Sequence, residues 1–150
     1  MKIIYYSYYG CYSTIIAAYI HSKIIDDVIS KEEFYDIPEI FEINYGILKY
    51  IGIDENNNEI YVIAMKNFSD NIKKTFEGLR KIFNLEFEKI IFVDTSSFDV
   101  RYFNIYLYLR KVRIFKNIID YILYKKIMAN YRHIKSFVDL NKIKNNIIWG

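Results

Sequence analysis

One cysteine, one proline and five glycines in 150 residues leave this chain short of the usual means of stapling or interrupting a fold. The lone Cys11 excludes an internal disulfide framework. With so little proline and glycine there is no linker composition anywhere, so residues 1–150 are expected to form a single domain. Long hydrophobic runs are also missing. Charges interrupt every candidate before the roughly 18 apolar residues a membrane span needs. Met1-Lys2 leads straight into Ile3-Ile4-Tyr5-Tyr6, without the length or small-residue exit of a secretory signal, so a cytoplasmic protein is expected. Histidine is scarce as well. Neither His21 nor His133 has a second histidine at metal-ligand spacing, which argues against zinc, and the sequence names no cofactor. No internal repeat of solenoid period is present.

What the chain does have is apolar and aromatic bulk. Hydrophobic residues make up 53% and charged residues 26%, a balance that argues against disorder. The 16 tyrosines and 11 phenylalanines occur beside many Ile, Lys and Asn residues. That reads as the bias of an AT-rich coding sequence before it reads as base-stacking platforms. The net charge of +3 conceals an asymmetry. Residues 1–100 hold 10 Lys/Arg against 16 Asp/Glu, whereas residues 101–150 hold 11 against 2. A basic final third suits nucleic acid, an anionic membrane surface or an acidic protein partner, and it equally suits solvated helices facing the acidic remainder of the same fold.

The periodicities alternate between strand and helix. Lys2–Tyr9 is a continuous apolar run, as in a strand buried on both faces. Gly10 breaks it, and Ser13 is placed to cap a helix from about Thr14 to Ile25, with Ile16, Ile20 and Ile24 at helical spacing. Ser30-Lys31-Glu32-Glu33 is a capping box opening a short helix that must stop near Pro38. Ile47–Asp54 and Ile60–Lys66 flank the turn Glu55–Glu59, which predicts an antiparallel hairpin. Ser69 is placed to cap a helix carrying Ile72, Phe76, Leu79 and Phe83, stopped by a left-handed Asn84, and Lys89–Asp94 is the next buried strand. Joined by that helix, Ile60–Lys66 and Lys89–Asp94 should run parallel, with Lys2–Tyr9 parallel to both and all three central. Tyr102–Leu109 is apolar nearly all round and predicts a helix that is buried or faces a partner. A last strand is expected at Leu123–Met128, followed by a helix capped by Asn130 with Tyr131, Ile134, Phe137 and Val138 turned inward.

Two constellations carry possible chemistry. The first is the turn Gly10, Cys11, Tyr12, Ser13 and Thr14, between the first strand and first helix. In a doubly wound sheet such a turn lies at the carboxyl ends of the strands, and a helix N-terminus offers free amides to phosphate or carboxylate. It lacks the Gly-Lys-Ser/Thr of a P-loop and the three glycines of a dinucleotide fingerprint, so the plainer reading is a tight turn with a serine cap. Cys11 there has no Cys-x5-Arg behind it, position 17 being Ala17, which removes the phosphatase-loop reading. The second constellation is Asp94 and Thr95, followed by Ser96 and Ser97, at the end of another strand. These residues are candidates to bind a ligand or a phosphate-held metal, or merely to cap the following loop. Arg132 would reach a bound anion if the last strand ends before it.

These residues also carry a resemblance. Ile3-Ile4-Tyr5-Tyr6 leading to Tyr8, Gly10, Ser13-Thr14, Ala17-Ala18 and Ile20-His21 resembles the opening signature of a small bacterial family, domain of unknown function 3189. Gly52-Ile53-Asp54-Glu55 with Asn58–Val62 is similar to that family's hairpin, and Phe92-Val93-Asp94 followed by Asn104 to its next strand and helix. The family's opening turn usually carries paired glycines and a histidine before the two hydroxyls. Here Tyr9 stands for one glycine and Tyr12 for the histidine. The resemblance implies fold and compartment and no activity.

The expectation is therefore one three-layer α/β domain, Rossmann-like or P-loop-like, with a mostly parallel sheet and one antiparallel hairpin strand. Its expected guest is a small phosphate-bearing ligand at Gly10, Cys11, Tyr12, Ser13, Thr14, Asp94 and Thr95. The alternative is a non-enzymatic interaction protein using the basic final third.

Overall fold

The computed structural model describes residues 1–149 except 26–28, 38, 39 and 43, with side chains up to residue 143. A four-stranded sheet forms the middle, in the order β2-β3-β1-β4. The strands are β1 (Lys2–Ser7), β2 (Lys49–Ile53), β3 (Glu59–Ala64) and β4 (Ile90–Asp94). β1 pairs parallel with both β3 and β4, and β2 pairs antiparallel with β3.

The alternation of β1 explains why it reads as continuously apolar. Ile3 and Tyr5 enter one core with helix α1 (Ser13–His21), and Ile4 and Tyr6 enter a second core with Ile72 and Phe76 of helix α3 (Ser69–Ile82). A strand covered on both faces has no polar side to show. Helix α2 (Lys31–Asp36) starts at the expected capping box: the Glu33 amide donates to Ser30 Oγ at 3.2 Å and the Ser30 amide to Glu33 Oε2 at 2.7 Å. Pro38, expected to stop it, lies outside the described residues. Asn84 adopts the left-handed conformation expected after α3, at φ 54°.

Several expectations are corrected. Helix α1 ends at His21, not Ile25, because Lys23 turns left-handed at φ 54° and the chain reverses there. Neither Ser13 nor Ser69 is a cap. Tyr12 and Phe68 hold those positions, and no side chain bonds there. β4 is an edge strand, not a central one, and only Val93 of it is buried. Of the apolar stripe on α3, Ile72 and Phe76 pack on the sheet, whereas Leu79 and Phe83 are exposed. Helix α4 (Phe103–Arg110) forms, but only Phe103 is buried in it.

The largest correction is at the end of the chain. Leu123–Met128 is no strand and Asn130 caps nothing; both lie inside α5, one helix from Arg113 to Trp149. Ile119, Leu123, Ile127, Tyr131, Ile134 and Val138 are all buried and repeat at three- and four-residue steps, forming one helical face. That face packs on α1, and the same spacing turns Lys125 and Lys126 out to solvent. Each fully buried aliphatic on it contributes about 1.5–3 kcal/mol of transfer free energy. Tyr131, Ile134 and Val138 are buried as expected, and Phe137 partly so. No helix among the described residues is long and apolar enough to cross a membrane.

Candidate functional site

The chain leaves β1 through Tyr8 and Tyr9 and bends sharply at Gly10, where φ is 60°. The bend lays the turn against the end of β3. The Met65 amide donates to the Ser7 carbonyl at 3.0 Å, the Lys66 amide to the Tyr8 carbonyl at 3.1 Å, and the Gly10 amide to Ser7 Oγ at 3.1 Å. A Cβ on Gly10 would stand 2.4 Å from the Ala64 nitrogen, so the position requires glycine twice over, for its dihedral and for its space. Beside it, on the α1 side of the sheet, an open cleft of about 220 Å³ is lined by Gly10, Ile15, Glu42, Asn44, Val62 and Ala64.

The expected cradle is covered. Cys11, Tyr12, Ser13 and Thr14 are all exposed by 2% or less. The Tyr12 amide donates to the Ile40 carbonyl and the Thr14 amide to the Cys11 carbonyl. Tyr12 sits at φ 55°, its ring between Phe34 and Phe103 and its hydroxyl donating to the Leu123 carbonyl of α5. It is a core residue that ties the start of α1 to α5. Burial pushes the Cys11 thiol well above its ordinary pKa, so it holds no thiolate to act as a nucleophile.

What the turn assembles instead is a set of hydroxyls around a carboxyl group. Thr14 Oγ1 donates to Ser7 Oγ at 2.9 Å and lies 2.8 Å from Thr95 Oγ1, which donates to the Tyr6 carbonyl at 2.9 Å. Ser13 Oγ donates to Asp99 Oδ1 at 2.9 Å. The other carboxyl oxygen of Asp99 is buried, with no hydrogen-bond partner among the described residues. Burial pushes the Asp99 carboxyl up to about 6, against the Ser13 and Ser7 hydroxyls and the Tyr9 amide, which favour its charged form, and with the help of Asp94. Asp99 was absent from the expected site. Its only sequence signal was an acid five residues past a strand end, too weak to single out.

Asp94 and Thr95, adjacent in sequence, point to opposite faces as strand residues must. Thr95 joins the hydroxyl cluster. Asp94 lies with α3, accepting from the Ser96 amide at 2.8 Å and from the Tyr6 hydroxyl at 3.1 Å, while Lys73 Nζ donates to that hydroxyl at 2.6 Å. Burial raises the Asp94 carboxyl, but the Ser96, Tyr6 and Lys73 interactions outweigh it and hold it below the usual range. The capping role weighed for Asp94 is thus present. His21 occupies a second buried network: the Tyr5 hydroxyl lies 2.7 Å from His21 Nδ1, and His21 Nε2 lies 3.2 Å from Asp54 Oδ2. Asp54 also accepts from the Asn56 and Asn58 amides and from Asn58 Nδ2. Burial, aided by Lys142, pushes the His21 pKa down to about 4. Its neutral ring accepts from Tyr5 and donates to Asp54, which pins the hairpin onto α1.

Among the described residues no three His, Cys, Asp or Glu side chains stand where they could hold a metal ion. Arg132, expected to reach an anion, is exposed on α5, because the strand that would have aimed it does not form. The basic residues from Arg110 to Lys126 do not share one face. Arg110 pairs with Asp120 at 2.6 Å. At 100° per residue, Arg113 and Lys116 lie on one side of α5 and Lys125 and Lys126 on two others, which gives the nucleic-acid reading no support.

The family model described as a protein of unknown function, DUF3189, matches residues 2–144. The chain belongs to this family. In this member of the family Gly10 seals the turn on β3, and Ser13 and Thr14 face Asp99 and Thr95. No curated protein and no solved structure matches the chain.

Proposed function

We propose that this DUF3189 domain binds a small polar ligand at the carboxyl ends of β1 and β4, with Asp99 as the group that anchors it and exchanges a proton with it. Ser13 holds one oxygen of Asp99, and Gly10, Cys11, Tyr12, Thr14 and Thr95 are the buried packing behind it. We read the sheet as a small Rossmann-like unit. Its outgoing helices α1 and α3 lie on opposite faces, as in folds that bind ligands beyond the strand ends.

The observation that carries the reading is Asp99 itself: a carboxyl kept largely out of water, one oxygen without a partner, its pKa near 6. Such groups cost stability and gather at working sites. With Asp94 close enough to raise it and no cation among the described residues bonded to it, the site favours a ligand presenting an amine or hydroxyl donor over the phosphate expected from sequence. A thermal-shift screen of amino sugars and small diamines against inorganic phosphate and nucleotides, at pH 5 and 7.5, tests it. Donor-bearing ligands should stabilise the protein more at pH 7.5, and Asp99→Asn should abolish the effect. Stabilisation by phosphate that survives in Asp99→Asn would overturn the reading.

A further inference from the structure

β4 ends the sheet without protection. The Lys2 amide donates to the Lys89 carbonyl and the Thr95 amide to the Tyr6 carbonyl. In a parallel ladder with this register, Ile91 and Val93 turn their backbone groups to β1. Ile90, Phe92 and Asp94 therefore turn theirs outward, and among the described residues no backbone group bonds to them. Proteins ordinarily blunt such an edge with proline, a bulge or a charge within the strand. Here the strand reads Ile-Ile-Phe-Val before Asp94.

A groove of about 310 Å³ runs along this edge beneath α3, with Phe76, Ile90 and Phe92 as its floor and Lys73, Lys74 and Arg80 along its rim. Among the residues lining the groove the acid is Glu77, already paired with Arg80 at 2.8 Å. Asp94, at the end of the strand, is engaged by the Ser96 amide and the Tyr6 hydroxyl and leaves Lys74 to face an incoming chain. Past the N-terminal end of the strand, Ile82, Phe83 and Phe87 are all more than half exposed. We infer that the free edge of β4 accepts an extended acidic peptide segment as a fifth strand, paired to Ile90, Phe92 and Asp94, with its acidic side chains under α3 against Lys73 and Lys74.

The charge decides between occupants. A second copy pairing β4 to β4 about a two-fold axis would set two α3 helices side by side on the same face, each with a surplus of cations on its rim. An acidic strand meets the same rim with opposite charge, and strand addition supplies main-chain bonds whatever the exact sequence. Because the partner's side chains alternate, only those on the α3 side need be acidic.

A capped octapeptide of alternating Glu and Val is a suitable probe. It should bind the full-length protein, slowing amide exchange at Ile90, Phe92 and Asp94 while Ile91 and Val93, already bonded to β1, change little. Alternate N-methylation of the peptide, or the surface variant Lys73→Glu/Lys74→Glu, should weaken binding about tenfold or more. The alternating Lys and Val peptide should not bind. Equal binding of both peptides, no binding of either, or concentration-dependent dimerisation through β4 would each overturn the proposal.

Discussion

Asp99 holds its carboxyl up to about 6 at some expense to the fold. A raised carboxyl binds more protons in the folded chain than in the unfolded one between its ordinary pKa of 3.8 and that value, so its contribution falls as pH rises through the window. Asp99→Asn keeps an oxygen for Ser13 and removes the buried charge. It should therefore stabilise the protein by on the order of 1–3 kcal/mol at pH 7.5 and by little at pH 4, as read by urea unfolding. Gly10 is constrained in the other direction. Gly10→Ala should cost about 3 kcal/mol or more, and a thermal melt indistinguishable from the parent would refute the close approach to Ala64. A third residue, Tyr12, is structural: Tyr12→Phe loses a buried bond to the Leu123 carbonyl and should cost about 1 kcal/mol, read by urea unfolding.

At the level of elements, the sequence was most legible where local chemistry and long-range packing agreed. The capping box at Ser30 needs only four consecutive residues, and the hairpin needs only two apolar runs around a polar turn; both appear as read. The parallel pairing of β1 with β3 and β4 followed from the helices between them. Legibility failed where a short window admits two periods. Leu123–Met128 holds apolar residues that suit a strand, and only the run from Ile119 to Val138 reveals the helical repeat. The caps failed for a different reason: Ser13 and Ser69 satisfy the local rule, yet a tertiary partner, Asp99, takes the Ser13 hydroxyl. The site was half legible. Ser13, Thr14 and Thr95 do meet, but that Asp94 would face away and Asp99 return depended on a turn after β4 that no motif announces. The helical assignment is open to direct trial. Lys125→Pro, at an exposed position in the interior of α5, should cost about 3 kcal/mol and lower the helical signal in circular dichroism.

Across the whole molecule, two buried groups at separate places pull stability in opposite directions with pH. His21, held down to about 4, keeps its proton off while the unfolded chain takes one up below its ordinary 6.5, so its contribution grows as pH rises from 4 to 6.5. Asp99 contributes the reverse over nearly the same window. The parent protein should show a shallow dependence between pH 4.5 and 6, because the two slopes offset one another. Single variants should expose them: Asp99→Asn should gain stability steadily with pH, and His21→Gln should lose it. Urea midpoints at three pH values would settle the matter, and parallel slopes in all three proteins would refute it.

The buried face of α5 has a consequence for the order in which the protein can be made. Six core residues between Ile119 and Val138 cover α1, which in turn covers β1. A nascent chain can assemble strands and early helices from its first hundred residues, yet one wall of its core has not been synthesised. Until residue 138 has emerged, the face of α1 that α5 covers has no partner, and exposed apolar surface of this kind leaves a chain open to aggregation and proteolysis. Arrested chains ending near residue 111 should accordingly remain protease-sensitive, and chains extended past residue 143 should become resistant in a single step.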